Sequence, residues 1–80
     1  MHYVYVLKSV RDDDLYIGCT HDLERRVEAH NLGLVRSTKG RRPLRLIYKE
    51  EYKDKYSAYK MERFYKTAKG KKALKSKFTF

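Results

Sequence analysis

A carboxylate beside an apolar stripe has to find a cation, and Glu62 is such a group. Read as a helix, the stretch after Asp54 brings Ala58, Met61, Tyr65 and Ala68 onto one face. Glu62 falls about 60° from the centre of that face at 100° per residue. Burying it unpaired would be costly. Its partner is a lysine, an arginine or a metal ion. Lys66 offers the simplest answer, an i,i+4 pair in the favourable Glu-before-Lys order. A second pair, Arg26 and His30, is also four residues apart, on a stripe next to Leu23 and Val27. Either both side chains are exposed, one with its stem lying along the surface, or they form an anion clamp. In a clamp, Arg26 offers planar donors to a phosphate and His30 titrates near neutral pH. Arg25 points about 100° away and reads as surface. Tyr5 and Tyr16, taken singly, read as core or edge aromatics.

Other chemistries find less support. The three histidines are scattered and no Cys/His ligand pairs occur, which argues against zinc. Cys19, the single cysteine, follows a strand-like run and reads as a small buried apolar residue rather than a nucleophile. Unable to form an internal disulfide, it points to a reducing, cytoplasmic setting.

The charge balance indicates the partner. The 80 residues carry 20 Lys and Arg against 10 Asp and Glu. Residues 1–40 are neutral overall, and the whole net charge of +10 lies in residues 41–80. So polarised a distribution is the footprint of a polyanion binder, because cationic side chains release the counterions condensed on phosphates. The expected partner is a nucleic acid, DNA or RNA; the competing reading is a solvated surface that keeps the chain soluble. No run of about 18 apolar residues exists to span a membrane, and no long amphipathic helix is evident to lie on one.

Eighty residues make one domain with a thin core. His2 to Lys8 alternates as a strand, with Tyr3, Tyr5 and Leu7 on one face and Val4 and Val6 on the other. After the polar turn Arg11-Asp12-Asp13-Asp14, Leu15 to Cys19 forms a second strand, antiparallel to the first. Thr20 or Asp22 caps a helix that stops at Gly33. Residues 34–42 form a basic loop. Pro43 opens a third strand, Leu44 to Tyr48. Asp54 caps a second helix, which Gly70 breaks. Lys71 to Lys77 forms a short frayed helix or a basic tail, within a basic segment of about residues 69–80. The order predicts an α+β fold, a small three-stranded antiparallel sheet flanked by two to three helices.

Tyr3-Val4-Tyr5 and Tyr16-Ile17-Gly18, followed ten residues after Tyr16 by Arg26 within Asp22-Leu23-Glu24-Arg25-Arg26, resemble the motifs of the GIY-YIG nuclease family. The likeness runs from Tyr3 to about Leu74. It is greatest to the small single-domain bacterial branch, related to the incision domain of the excision-repair nuclease, whose loop Gly40-Arg41-Arg42-Pro43 is similar. The glycine of the first motif is missing, as is common in that branch. The resemblance implies a metal-dependent endonuclease acting on DNA, with repair as a setting. It implies Tyr5, Tyr16, Arg26, His30 and Glu62 as the catalytic set, and one Mg²⁺ or Mn²⁺ on Glu62. Arg36, Lys39, Arg41 and Arg42 in the loop, and Lys69, Lys71, Lys72 and Lys75 near the end, would then hold the nucleic acid. The alternative is a basic module that keeps the scaffold and binds without cutting.

Overall fold

The computed structural model describes residues 1–78. Three strands, β1 (His2–Ser9), β2 (Leu15–Thr20) and β3 (Leu44–Tyr52), form one antiparallel sheet in the order β2-β1-β3. Helix α1 (Leu23–Asn31) packs on one face; α2 (Lys55–Tyr65) and α3 (Ala68–Lys75) pack on the other. This is the expected α+β architecture, with a third helix in full.

Alternation along β1 builds two cores. Val4, Val6, Ile17, Ala58, Tyr65 and Leu74 are buried together on the α2/α3 side. Tyr5, Leu7 and Leu44 are buried on the α1 side, where Leu23 and Val27 close over them. Each fully buried Val or Leu contributes about 1.5–3 kcal/mol, and the central strand supplies three of them.

Local chemistry fixes the helix ends. Asp22 and Asp54 accept the backbone N–H groups of Arg25 and Ser57, capping α1 and α2. The α1 helix ends on Gly33 at φ +79°, and Leu34 N–H reaches back to the Ala29 carbonyl. Strand β3 is longer than predicted because Lys49–Tyr52 continues the pairing with β1.

The reading of Gly70 as a breaker is corrected. Helix α2 already ends at Tyr65, and Thr67 starts a new helix by accepting the Gly70 N–H at 3.0 Å. Gly70 lies in the first turn of α3, where a Cβ would collide with the Phe64 carbonyl. The glycine permits close packing of consecutive helices. Lys69, Lys71, Lys72 and Lys75 therefore project from an ordered helix; a one-turn 3₁₀ segment, Ser76–Phe78, follows it, and residues 79 and 80 of the predicted basic segment lie outside the described residues.

Candidate active site

Tyr5 belongs to the central strand, opposite Gly18 on β2. A Cβ at position 18 would collide with the Tyr5 hydroxyl oxygen and ring. The glycine is thus the gap through which the Tyr5 ring crosses its neighbour strand. Helix α1 covers that face and brings Arg26 and His30 to the phenol. Its far end is registered on the sheet by Asn31, whose side chain accepts Leu44 N–H at 2.8 Å and donates to the Leu44 carbonyl at 3.0 Å. Asn31 acts as a false strand residue for β3, so the α1 side chains meet Tyr5 at a fixed height.

A chain of polar contacts results. Arg26 Nε donates to the Tyr5 hydroxyl at 3.4 Å. The Tyr5 hydroxyl lies 3.0 Å from His30 Nε2, and His30 Nδ1 lies 2.7 Å from Thr38 Oγ1. Thr38 hydroxyl in turn faces the Val35 carbonyl at 3.4 Å. Directions follow from the ends of this chain. If Thr38 donates to the carbonyl, it accepts from Nδ1–H. The Nε2 lone pair then accepts the Tyr5 proton, and the Tyr5 oxygen remains free to accept from Arg26. Tyr16 stacks edge-on to His30 with ring centres 4.8 Å apart and lies 6.3 Å from the Tyr5 ring.

Burial sets the protonation states. It pushes the Tyr5 hydroxyl up to about 12, against the opposing Arg26 hydrogen bond. It pulls His30 down to about 4, helped by the Arg26 charge. The hydrogen bond to Tyr5 holds Arg26 above its ordinary value, against its own partial burial. The expectation that His30 titrates near neutral pH is therefore corrected. His30 is wholly buried and neutral, and Arg26, half-buried, is left as the cation of the pair.

Glu62 lies on α2, on the other side of the sheet from α1. It is 14% exposed, and its charge contributes to raising Tyr5 and Cys19. The simple partner is present: Lys66 Nζ lies 3.1 Å from the carboxylate, with its own side chain 52% exposed. Among the described residues no group of three His, Cys, Asp or Glu is arranged to hold a metal. A hard divalent cation does not need one, because one or two carboxylates, phosphate oxygens and several waters satisfy it. A single, mostly buried carboxylate whose lysine partner is half-exposed fits that requirement.

The predicted basic residues are not brought to one place. Lys69, Lys71, Lys72 and Lys75 are exposed on α3, across the sheet from α1. In the loop, Arg36 and Lys39 are exposed, but Arg41 pairs with Asp14 at 3.3 Å and Arg42 Nε donates to the Lys39 carbonyl at 2.8 Å. Arg42 also lies over Gly33, where a Cβ would meet its guanidinium at 2.7 Å. Both arginines thus have structural partners.

Thr38 and Asn31 are not legible in the sequence as site residues. Thr38 depends on a loop position and Asn31 on meeting the first residue of β3, neither of which periodicity encodes; the only trace is a threonine eight residues after the histidine, inside a basic stretch.

Comparison with known proteins identifies the family and agrees with the fold. The profile of the GIY-YIG catalytic domain matches residues 1–76. A UPF0213 protein of Clostridium perfringens is 43% identical over 67 residues, covering 82% of this chain and 71% of its own. One from Staphylococcus aureus is 43% identical over 75 residues, covering 92% and 90%. The solution NMR structure of a UPF0213 protein from Bacillus halodurans superposes with a TM-score of 0.57 at 35% identity, over 94% of this chain and 82% of that one. No helix among the described residues is long and apolar enough to cross a membrane.

Proposed function

The chain belongs to the GIY-YIG family of catalytic domains, a nuclease-type family, and from that premise we propose that it is a divalent-metal-dependent endonuclease hydrolysing phosphodiester bonds in DNA. The observation that carries this reading is the connected run Arg26–Tyr5–His30–Thr38, to which α2 adds the mostly buried carboxylate of Glu62. A binding protein needs no buried proton path beside a cation.

Each group has a task in phosphodiester hydrolysis. Arg26 keeps guanidinium N–H groups beyond the one spent on Tyr5, and these stabilise charge developing on the non-bridging oxygens. Tyr16, half-buried, stands nearer the surface than Tyr5 and positions the attacking water and phosphate. Tyr5 is too buried and too weak an acid to serve as a resting phenolate. It works as a relay: its oxygen takes the proton from water while its own proton passes to His30 Nε2. His30 Nε2 offers an open lone pair at pH 7, and because burial and the Arg26 charge disfavour the imidazolium the proton rests there only transiently. Thr38 holds the ring in the tautomer that leaves Nε2 open. Glu62 is the residue that would hold Mg²⁺ or Mn²⁺, and a cation there, when bound, polarises the scissile phosphate and stabilises the leaving 3′ oxygen.

The test is incubation of nicked and branched DNA with Mg²⁺ or Mn²⁺, with and without chelator. Cleavage that disappears with chelator and in Glu62→Gln, while the variant stays folded, is the expected result. One observation favours the other reading: the Glu62–Lys66 ion pair is complete without a metal. If that pair is all Glu62 does, Glu62→Gln will be nearly silent, since such partly exposed pairs contribute roughly 0–1 kcal/mol. DNA that is retarded but intact would identify a non-cleaving binding module.

A further inference from the structure

Helix α2 carries a second feature, on the side turned away from the core. Tyr56 and Tyr59 are 76% and 52% exposed, although tyrosine normally buries its ring. At 100° per residue they lie about 60° apart, one turn from each other. Arg63 sits over the Tyr59 ring at 5.8 Å, and with Lys60 the three line an open recess of about 220 Å³. The charged side chains lining the recess itself are both cationic, Lys60 and Arg63. Lys55, Lys60 and Arg63 are exposed, and among the described residues none of them is in an ion pair. The acids of this helix are spent elsewhere, Asp54 on the cap and Glu62 on the site. Tyr59 is about 60° round the helix from Glu62, so the recess borders the catalytic carboxylate.

We propose that this face of α2 is a stacking platform for unpaired bases, so that the enzyme engages a single-stranded segment of its substrate next to the scissile bond. The inference rests on the nuclease reading above and adds the substrate class to it. Exposed aromatic faces flanked by unpaired cations are what single-stranded nucleic acid uses: bases stack on the rings while phosphates meet the lysines and arginine. Blunt duplex offers no free base faces, so the tyrosines would gain nothing from it.

Binding is measured on the full chain in chelator, so no cutting is needed. The probes are an oligo(dT) strand, an abasic strand of the same length, and a blunt duplex. Tyr59→Ala and Tyr56→Ala should each weaken oligo(dT) by about 5- to 150-fold, the range found for loss of one base–aromatic stack. Abasic strand and duplex should change by no more than about two-fold, and Tyr59→Phe should restore oligo(dT) binding. Equal affinity of the parent for oligo(dT) and abasic strand would overturn the proposal. So would alanine variants that lose both strands alike, or lose neither. Because these outcomes are read without metal, they are separate from the Glu62→Gln cleavage result: a cutting enzyme with silent tyrosines loses only the platform, and a stacking protein that never cuts loses only the nuclease.

Discussion

Glu50 should account for a large part of the acid sensitivity of this fold. It lies on β3 opposite Val4, facing α2 and α3, with its side chain 15% exposed. Its two oxygens accept hydroxyl protons from Tyr48, Tyr52 at 2.6 Å and Tyr65 at 2.8 Å, and an ammonium proton from Lys77 at 2.8 Å. These tie β3 to α2 and to the turn after α3. Burial pushes the carboxyl up, but the hydrogen bonds, led by Lys77, outweigh it and bring it from 4.5 down to about 2. At about 1.4 kcal/mol per tenfold change in proton affinity, that difference corresponds to about 3 kcal/mol. An 80-residue domain has roughly 4–12 kcal/mol in all, at about 0.05–0.15 per residue.

The sign follows from linkage. Above pH 4.5 the carboxyl is ionised in both states and the stabilisation is present in full. As pH falls from 4.5 towards 2, the unfolded chain takes up the proton first, and the advantage is lost. Urea unfolding followed by circular dichroism from pH 7 to pH 2, on the parent and on Glu50→Gln, reads this directly. The variant should be about 2–3 kcal/mol less stable at pH 7, and the gap should close near pH 2. A gap that stays constant across that range would show that the carboxyl is not held low, and that the three tyrosines do not converge on it.

The remaining predictions concern the site. Thr38→Val should leave the buried His30 Nδ1 without a partner, cost about 1–3 kcal/mol of stability, and slow single-turnover cleavage, while Thr38→Ser restores both; nitrogen NMR of His30 checks the tautomer, and an unchanged ring spectrum would remove Thr38 from the relay. The same spectra should show His30 neutral from pH 8 down to about pH 5, since its proton affinity is lowered to about 4. Arg26→Ala should reduce cleavage about 10²–10³-fold with unfolding unchanged within experimental error, and activity within a few-fold of the parent would place Arg26 outside the chemistry. Neutralising Lys69, Lys71, Lys72 and Lys75 should flatten the salt dependence of DNA binding by about 0.9 in log–log slope for each phosphate that the helix no longer neutralises; an unchanged slope would make α3 a solvated face.

What could be read in the sequence follows the residues whose positions are set by regular periods. Tyr5 and Tyr16 take their faces from strand alternation, and Arg26, His30 and Glu62 take theirs from helical spacing, so the meeting of Tyr5, Tyr16, Arg26 and His30 needed only the fold. What could not be read depends on a departure from period two. In β3, Val6 pairs with Tyr48 but Leu7 pairs with Leu46, which leaves Ile47 as an extra residue in a bulge. Run without interruption, alternation from Leu44 would put Leu46, Tyr48, Glu50 and Tyr52 all on the face of Tyr5, beneath α1. Glu50 would then stand opposite Tyr3, the place that Glu51 holds in the bulged strand, and would be lost to the α2 side. The bulge instead turns Tyr48, Glu50 and Tyr52 to the α2 side, where they meet Tyr65 and Lys77, and keeps Leu44 and Leu46 facing α1. One inserted residue thus divides the strand into a part that registers α1 through Asn31 and a part that anchors α2 through Glu50. In exchange Lys49 and Glu51 take the α1 face, opposite Tyr5 and Tyr3, and among the described residues Arg26 is in no ion pair, as the phosphate contact proposed for it requires.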